Sequence, residues 1–459
     1  MTRHAPVTRS GRTPLPRLIV MTRYPEPGRV KTRLAEELGA DRATTVHREL
    51  AEYVVTRARA AALSGAVELE VRLTGAPPAA GRRWFGSRVH IHPQADGSLG
   101  DRLADAMSSA FAEGAPAAIA IGSDCPDAGR EIVRDAIAAL EHSTVVLGPA
   151  EDGGYYLVGV RASAAEPALA ALFGDVPWGS ADVLEVTLGR LSAAGVTPAL
   201  LPQLADIDRP EDVARWEQYR DADARMATDP RLSVIIPALN EEALVAGAVR
   251  SALEAGALEV VVVDGGSADA TVAQATHAGA RIVHAPAGRA AQMNTGAAEA
   301  TGDVLLFLHA DTTLPPDACD QVRRALADRG AVGGAFRYSA GDESSVLDRL
   351  VSAVGGWRYA TFRLPYGDQG IFAVRRVFED LGGFPAMPVM EDYEFARRLK
   401  RLGRLGRATS AVRTSTRAWR EGGLLRTTAL DVATIAGYRL GVGPERLAQL
   451  RRRRSRTDA

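Results

Sequence analysis

The chain of 459 residues is poor in cysteine and lysine and has no long apolar run. Its two cysteines, Cys125 and Cys319, are too few for a disulfide framework or a cysteine-based zinc site and fit a reducing cytoplasm. No apolar stretch reaches the roughly 18 residues a membrane-spanning helix needs. The first sixteen residues are rich in Arg, Thr and Pro with no apolar core, so no signal peptide is expected. A net charge of −1 gives no support to a nucleic-acid or acidic-membrane partner. Among 55 basic residues only Lys31 and Lys400 are lysine. With the abundance of alanine this suggests GC-rich coding, in which a lysine that persists marks a position to inspect.

What is present is ordinary for a globular protein, with 46% hydrophobic and 24% charged residues. The length exceeds what one core supports, so two domains of roughly 200 residues are expected. Two segments read as fresh starts, "PRLIVMTRYPEPGRVKTRL" from 16 and "PRLSVIIPALNEEALVAGAV" from 230. The polar stretch at 217–229 reads as a helix end plus linker. The expected organisation is a disordered tail at 1–16, a domain at 17–225, a linker at 226–230, a domain at 231–450 and a basic tail at 451–459. "RRRRSR" in that tail reads most simply as solvated, with a lipid-phosphate contact as the alternative.

Strands alternate with amphipathic helices in both halves, which predicts α/β units with mostly parallel sheets and helices on both faces. The halves also echo each other. "AAIAIGSDCPD" parallels "VLLFLHADTTLP", and "AEDGGYYLVGV" parallels "YGDQGIFAVRR". The simplest reading is two diverged copies of one architecture, with ligands beyond the carboxyl ends of the strands.

In the C-terminal half, "VIIPALNEE", "VVVDGGSADAT", "GRAAQMNTGAAEATGD", "LLFLHADTTLP", "PYGDQGIFAVRR" and "MEDYEFARRLKRLGR" are ordered along most of 231–450. This half resembles the family 2 glycosyltransferases, nearest the radical-SAM/selenodomain-associated transferase 2 group, also described as arsenosugar-biosynthesis glycosyltransferases. The resemblance implies a GT-A fold and inverting sugar transfer from a nucleotide diphosphate donor to a small acceptor. Chemically, Glu241 and Asp264 offer acceptors for ribose and base; the bland alternative for "DGGSAD" is a β-to-α turn capped by Ser267 or Asp269. Arg289, opening a helix that also carries Asn294, could meet the diphosphate or be a surface arginine. Asp311 is the expected ligand of Mg²⁺ or Mn²⁺, which would neutralise the leaving diphosphate. The family commonly has Asp-X-Asp where this chain has His309-Ala310-Asp311, so His309 is either a second ligand or a hydrogen-bonding neighbour. Asp392 has the place of the catalytic base. Glu391 orients the acceptor or caps the helix. Asp368 and Gln369 are expected polar contacts, and Arg417 and Trp419 are candidates for diphosphate binding and stacking.

In the N-terminal half, "YPEPGRVKTRL", "GSLGDRL", "GSDCPD", "GPAEDGGYYLVG", "LFGDVPW" and "DIDRPED" span about 18–215. This half resembles radical-SAM/selenodomain-associated transferase 1, a group related to GT-A enzymes and sugar-phosphate nucleotidyltransferases. Arg29, Lys31 and Arg33 sit where basic residues would meet NTP phosphates, with Lys31 as a mobile point charge; solvated charges of a helix start are the alternative. Asp124, Asp206 and Asp208 are expected at a metal, unless Asp208 only caps a helix. Asp152 is a further candidate, and Cys125 reads as a packed residue.

These readings converge on a fused cytoplasmic transferase, the N-terminal domain making the nucleotide sugar from an NTP and a sugar phosphate. The alternatives are a non-catalytic nucleotide-binding N-terminal module, or a polyprenyl phosphate acceptor at a membrane.

Overall fold

The apolar runs become strands because they are buried on both faces. Strand β1 (Arg17–Arg23) has five consecutive buried residues, and all seven residues of β8 (Leu232–Ala238) are buried. In β1, Leu18 and Val20 pack with Val54 and Val55 on one side of the sheet. Ile19 and Met21 pack with Leu103 and Met107 on the other. A strand that feeds two cores this way must lie inside a parallel sheet covered by helices on both sides.

The computed structural model describes residues 14–228, 230–328, 330–341, 345–346, 348–353, 364–417 and 423–456. It divides into two compact units, Met1–Arg220 and Asp221–Ala459. The division falls inside a helix, Val213–Thr228, so most of the stretch read as linker is helical.

In the first unit β1 is joined by β2 (Glu68–Thr74), β3 (His90–Pro93), β4 (Ala117–Gly122), β5 (Val145–Pro149), β6 (Tyr155–Arg161) and β7 (Ala199–Leu200). Their order is β3-β2-β1-β4-β6-β5-β7, with β6 antiparallel to both neighbours and the other pairs parallel. In the second unit β8 is joined by β9 (Glu259–Asp264), β10 (Arg281–His284), β11 (Val304–Phe307), β12 (Thr312–Thr313), β13 (Ala331–Ala340), β14 (Ile371–Val374) and β15 (Arg404–Thr414). The order is β10-β9-β8-β11-β14-β13-β15-β12. With the two-residue β12 set aside, this repeats the first sheet strand for strand. The directions repeat too, since β14 is antiparallel to β11 and β13, while β13 and β15 are parallel. The echo between the halves is therefore a shared topology of two mixed, mostly parallel α/β sheets. Among the described residues no helix is long and apolar enough to cross a membrane.

Helix packing on the second sheet is close enough to require glycine. Gly296, in the helix Arg289–Glu299, would place a Cβ 2.5 Å from Ile235 Cγ2 and 2.7 Å from Val263 Cγ2. Both neighbours are fully buried. Gly296→Ala gains about 1 kcal/mol of helix propensity, but overpacking costs about 1–3 kcal/mol. The expected outcome is a net loss of stability of about 1 kcal/mol, read from urea unfolding; a more stable variant would contradict this packing.

Candidate active sites

In the first unit the loop after β1 turns at Lys31, a non-glycine residue in the left-handed region with φ 46°. This aims a side chain only 5% exposed at two carboxylates. Lys31 Nζ donates to Asp124 Oδ2 at 3.2 Å and Asp208 Oδ1 at 3.3 Å. Asp124 stands just past β4, and its carbonyl accepts from Ile207 N at 3.0 Å, which ties the 206–208 loop beside it. Arg33 Nη1 donates to Asp208 Oδ2 at 2.9 Å. Burial works against the charge of Lys31, but the two acids win and its pKa is raised. Burial likewise opposes ionisation of Asp124, and the Lys31 ammonium overcomes it.

Asp206 behaves differently. It forms no ion pair among the described residues, and burial with Asp124 and Asp152 nearby pushes its pKa up to about 6. Asp152 Oδ1 accepts from Gly154 N at 2.9 Å, the role of a turn residue. Arg29 pairs with Glu26 at 3.3 Å. All seven candidates of this half line one cleft of about 680 Å³. Of the three acids expected at a metal in this half, Asp206 is the one that forms no ion pair among the described residues. The nearby Lys31 ammonium only partly offsets the rise of its pKa, whereas Asp208 is held by Lys31 and Arg33.

The cleft also contains residues the sequence did not single out. His47 lies on the buried face of the helix Ala40–Leu63, its Nε2 2.8 Å from Arg23 O, and burial lowers its pKa. Tyr155 and Trp178, with centroids 6.0 Å apart, offer an aromatic wall. Cys125 is fully buried and its thiol is pushed up to about 12 by burial and Asp124, as suits a packing residue.

Asp206 gives a pH-dependent prediction. An acid whose folded pKa lies above its unfolded value, here about 6 against 3.8, costs stability once the pH passes the unfolded value. The full cost is reached above the folded pKa. In metal-free buffer, Asp206→Asn should stabilise the protein by roughly 1 kcal/mol at pH 7.5, after allowing for solvent screening. At pH 4.5 the gain should be much smaller. Equal shifts in Tm at both values would contradict the assignment.

In the second unit the candidates fall into two groups. Asp264, the last residue of β9, is buried and accepts from Gly266 N at 3.0 Å and Ser267 N at 3.2 Å. Burial opposes its ionisation, yet these donors hold its pKa down. Ser267 does not cap the start of the next helix, Thr271–His277, but Asp269 does, its Oδ1 accepting from Thr271 N at 3.0 Å. They accept from Asn240 N at 2.9 Å and Glu242 N at 3.2 Å, and so tie the loop after β8 to the loop after β9. Glu241 is held by Arg417 Nη2 at 2.8 and 3.0 Å, so two residues expected on different parts of the donor grip each other. Trp419 lies outside the described residues.

The second group surrounds a pocket of about 190 Å³. Met390, left-handed with φ 70°, breaks the chain immediately before the helix Glu391–Leu402. Such strain in a non-glycine residue is typical of functional turns. It sets Asp392 so that Gly367 N donates to Oδ2 at 2.7 Å and Tyr393 N to Oδ1 at 2.7 Å. A Cβ on Gly367 would lie 2.9 Å from both Asp392 Oδ2 and His309 Nε2, so glycine lets base candidate and histidine crowd one point. Burial and Arg289 lower the pKa of His309, against the pull of Asp311, Asp368 and Asp392. Glu391 is buried, and burial with Asp392 raises its pKa despite Arg289, whose Nε is 3.6 Å away. Asp368 lines the pocket. Asp311 does not; its Oδ1 accepts from Thr312 Oγ1 at 3.2 Å.

Two candidates do structural work. Asn294 clamps the backbone of Phe384 in both directions at 2.8 Å, and Gln369 is buried with Oε1 accepting from Tyr366 N at 3.0 Å. A residue assigned to the solvated tail instead lines the pocket. Arg451, in the helix Pro444–Arg456, donates to Asp431 Oδ1 at 3.0 Å. The preceding helix, Leu424–Arg439, is anchored by Tyr438 OH donating to Glu394 Oε2 at 2.9 Å. A run of arginines carries no signal in sequence that one of them folds back onto a site.

Comparison with known proteins matches residues 57–180 to the family described as "Uncharacterized protein conserved in bacteria (DUF2064)". Residues 233–381 match "Glycosyl transferase family 2". Two separate stretches of the chain are thus similar to these two families, one in each half. The Bacillus subtilis (strain 168) protein named "Probable glycosyltransferase YdaM" is 28% identical over 215 residues, 41% of this chain and 49% of that protein. The Mycobacterium tuberculosis (strain CDC 1551 / Oshkosh) protein named "Uncharacterized glycosyltransferase MT1564" is 34% identical over 134 residues, 28% of this chain and 48% of that one. The chain thus spans about half the length of the curated relatives it matches. A solved glucosyl-3-phosphoglycerate synthase from Mycobacterium tuberculosis, in complex with Mg²⁺ and UDP, aligns with TM-score 0.33 at 22% identity, covering 47% of this chain and 82% of that one. Asp311 and the β8–β9 loops fall within the family 2 match, whereas Asp392 and the Arg451 helix lie beyond its end.

Proposed function

We propose that the family 2 domain transfers a sugar, with inversion, from a nucleoside diphosphate sugar to a small acceptor bound in the Asp392 pocket. The observation that carries this is the setting of Asp392. A strained turn and two backbone N–H groups hold its carboxylate in a pocket beside Arg289 and the half-buried His309. Asp392 takes the proton of the acceptor hydroxyl as it attacks the anomeric carbon. Glu391, whose pKa is raised, hydrogen-bonds the acceptor, and Arg289 stabilises the diphosphate.

Among the described residues no three His, Cys, Asp or Glu side chains form a ready metal cage. That suits Mg²⁺ or Mn²⁺, which is bound through one or two carboxylates with substrate phosphates and water completing the shell. Asp311, whose Oδ1 accepts from Thr312 Oγ1 at 3.2 Å, would hold it. When bound, the ion supplies positive charge to the leaving diphosphate.

For the DUF2064 domain we propose nucleotidyl transfer from an NTP to a sugar phosphate, supplying the donor. Lys31 and Arg29 would meet the phosphates, with Asp124 and Asp206 at a metal. The ion pairs of Lys31 with Asp124 and Asp208 also fit a second reading, a nucleotide-binding module without turnover. Pyrophosphate release by the full chain from a panel of NTPs and sugar 1-phosphates separates them. Release abolished by Asp124→Ala and lowered at least 100-fold by Lys31→Ala is expected. Silence across the panel, with nucleotide still bound, would leave the module reading.

A further inference from the structure

An edge of the second sheet carries a cleft of about 670 Å³ that neither candidate site uses. Its walls are β12 with the following Leu314, Pro315 and Pro316, and the ends of β13 and β15. Strand register explains its chemistry. Thr313 stands opposite Arg413, and Arg413 stands opposite Ser339. Arg337 lies two residues before Ser339, opposite Ala411. Because side chains alternate along a strand, these four polar residues share one face. The intervening residues Tyr338, Ala340, Val412 and Thr414 are buried, and on the polar face Ser339 is also buried between the exposed Arg337 and Arg413.

Two features set this apart from a scatter of surface arginines. Among the described residues lining the cleft none is acidic, the nearest carboxylate being that of Asp317, which accepts from the lining Ser410 Oγ at 2.9 Å. Among the described residues neither Arg337 nor Arg413 forms an ion pair, whereas Arg231, Arg281 and Arg397 of the same unit are each matched to a carboxylate. Two unneutralised guanidiniums, diagonal neighbours on adjacent strands with hydroxyls between them, match the geometry by which arginine forks hold phosphate oxygens.

We propose that this cleft binds a soluble phosphate-bearing ligand, with Arg337 and Arg413 on the phosphate and Thr313 and Ser339 as hydroxyl partners. The occupant is taken as soluble because the apolar lining is confined to Leu314, two prolines, Ala411 and the largely buried Tyr338, a poor berth for an acyl chain. The inference stands apart from the glycosyl-transfer reading, since it uses none of its residues.

The test is calorimetric titration of the full chain with inorganic phosphate and with glucose 6-phosphate, glucose being the uncharged control. The double variant Arg337→Gln/Arg413→Gln should bind at least tenfold more weakly with an unchanged Tm. Lys31→Ala and Arg289→Gln, which touch the other basic regions, should keep this binding. Arg413→Lys, which retains charge but not the fork, should fall in between and serves if the double variant unfolds. Superimposable isotherms for the wild type and both Arg413 variants would overturn the proposal. So would arginine-dependent sedimentation with phosphatidic acid vesicles in the absence of any soluble phosphate binding.

Discussion

Asp392→Asn is expected to lower sugar transfer by about 10²- to 10⁴-fold, the range a positioned general base supplies. The substitution preserves shape, and the hydrogen bond from Gly367 N can persist through the remaining oxygen while that from Tyr393 N is given up. What disappears is the basicity of the carboxylate, which on the proposed mechanism takes the acceptor's proton in the transition state. Because Asp311 and Arg289 are untouched, the loss should appear in kcat with little change in donor KM. Nucleoside diphosphate release from a panel of UDP-, GDP-, CDP- and dTDP-sugars measures it. A variant that keeps more than a tenth of the wild-type kcat would remove Asp392 from the role of base. Loss confined to KM would make it a binding residue.

The largest effect on stability is expected at Glu70, far from any chemistry. Glu70 is 1% exposed in the middle of β2 and accepts from Arg17 Nη1 at 2.8 Å and Arg72 Nε at 2.7 Å. Arg17 has further partners in Glu68 and Glu113, but Arg72 retains only Asp105, at 3.4 Å. Removing one partner of a buried ion pair leaves an uncompensated charge and costs about 3–5 kcal/mol. Glu70→Ala should therefore destabilise the first unit by about 3 kcal/mol in urea unfolding. Glu70→Leu combined with Arg72→Leu should recover most of that loss, because the desolvation penalty goes with the charges. If the double variant is no more stable than Glu70→Ala, the network is not what limits this strand.

Legibility of the candidate sites in sequence varied with the distance over which each side chain finds its partner. Asp264, Asp311 and Asp124 were readable because an apolar run ending in an acid places that acid at the carboxyl edge of a parallel sheet, whatever the remaining chain does. Asn294 sits in the same motif-bearing helix as Arg289, yet it serves the backbone of Phe384, 90 residues on. Arg417 and Glu241 are 176 residues apart and pair with each other. Arg451 gave no local sign of its place in the pocket. A hydrogen bond between distant positions leaves no trace in local pattern.

Alternation of buried strands with amphipathic helices was enough to determine two α/β units, because hydrophobic periodicity is a local property that burial acts on directly. The same holds for the echo between the halves, which became one topology used twice. Tertiary structure alone decided which charges neutralise which, with Lys31 on Asp124 and Asp208 and Arg417 on Glu241. It also decided that, among the described residues, Asp206 forms no ion pair and neither do Arg337 and Arg413 on one sheet face. The physical reason is that charge pairing depends on register, on left-handed turns such as Lys31 and Met390, and on contacts between strands far apart in the chain. None of these is encoded within a few residues.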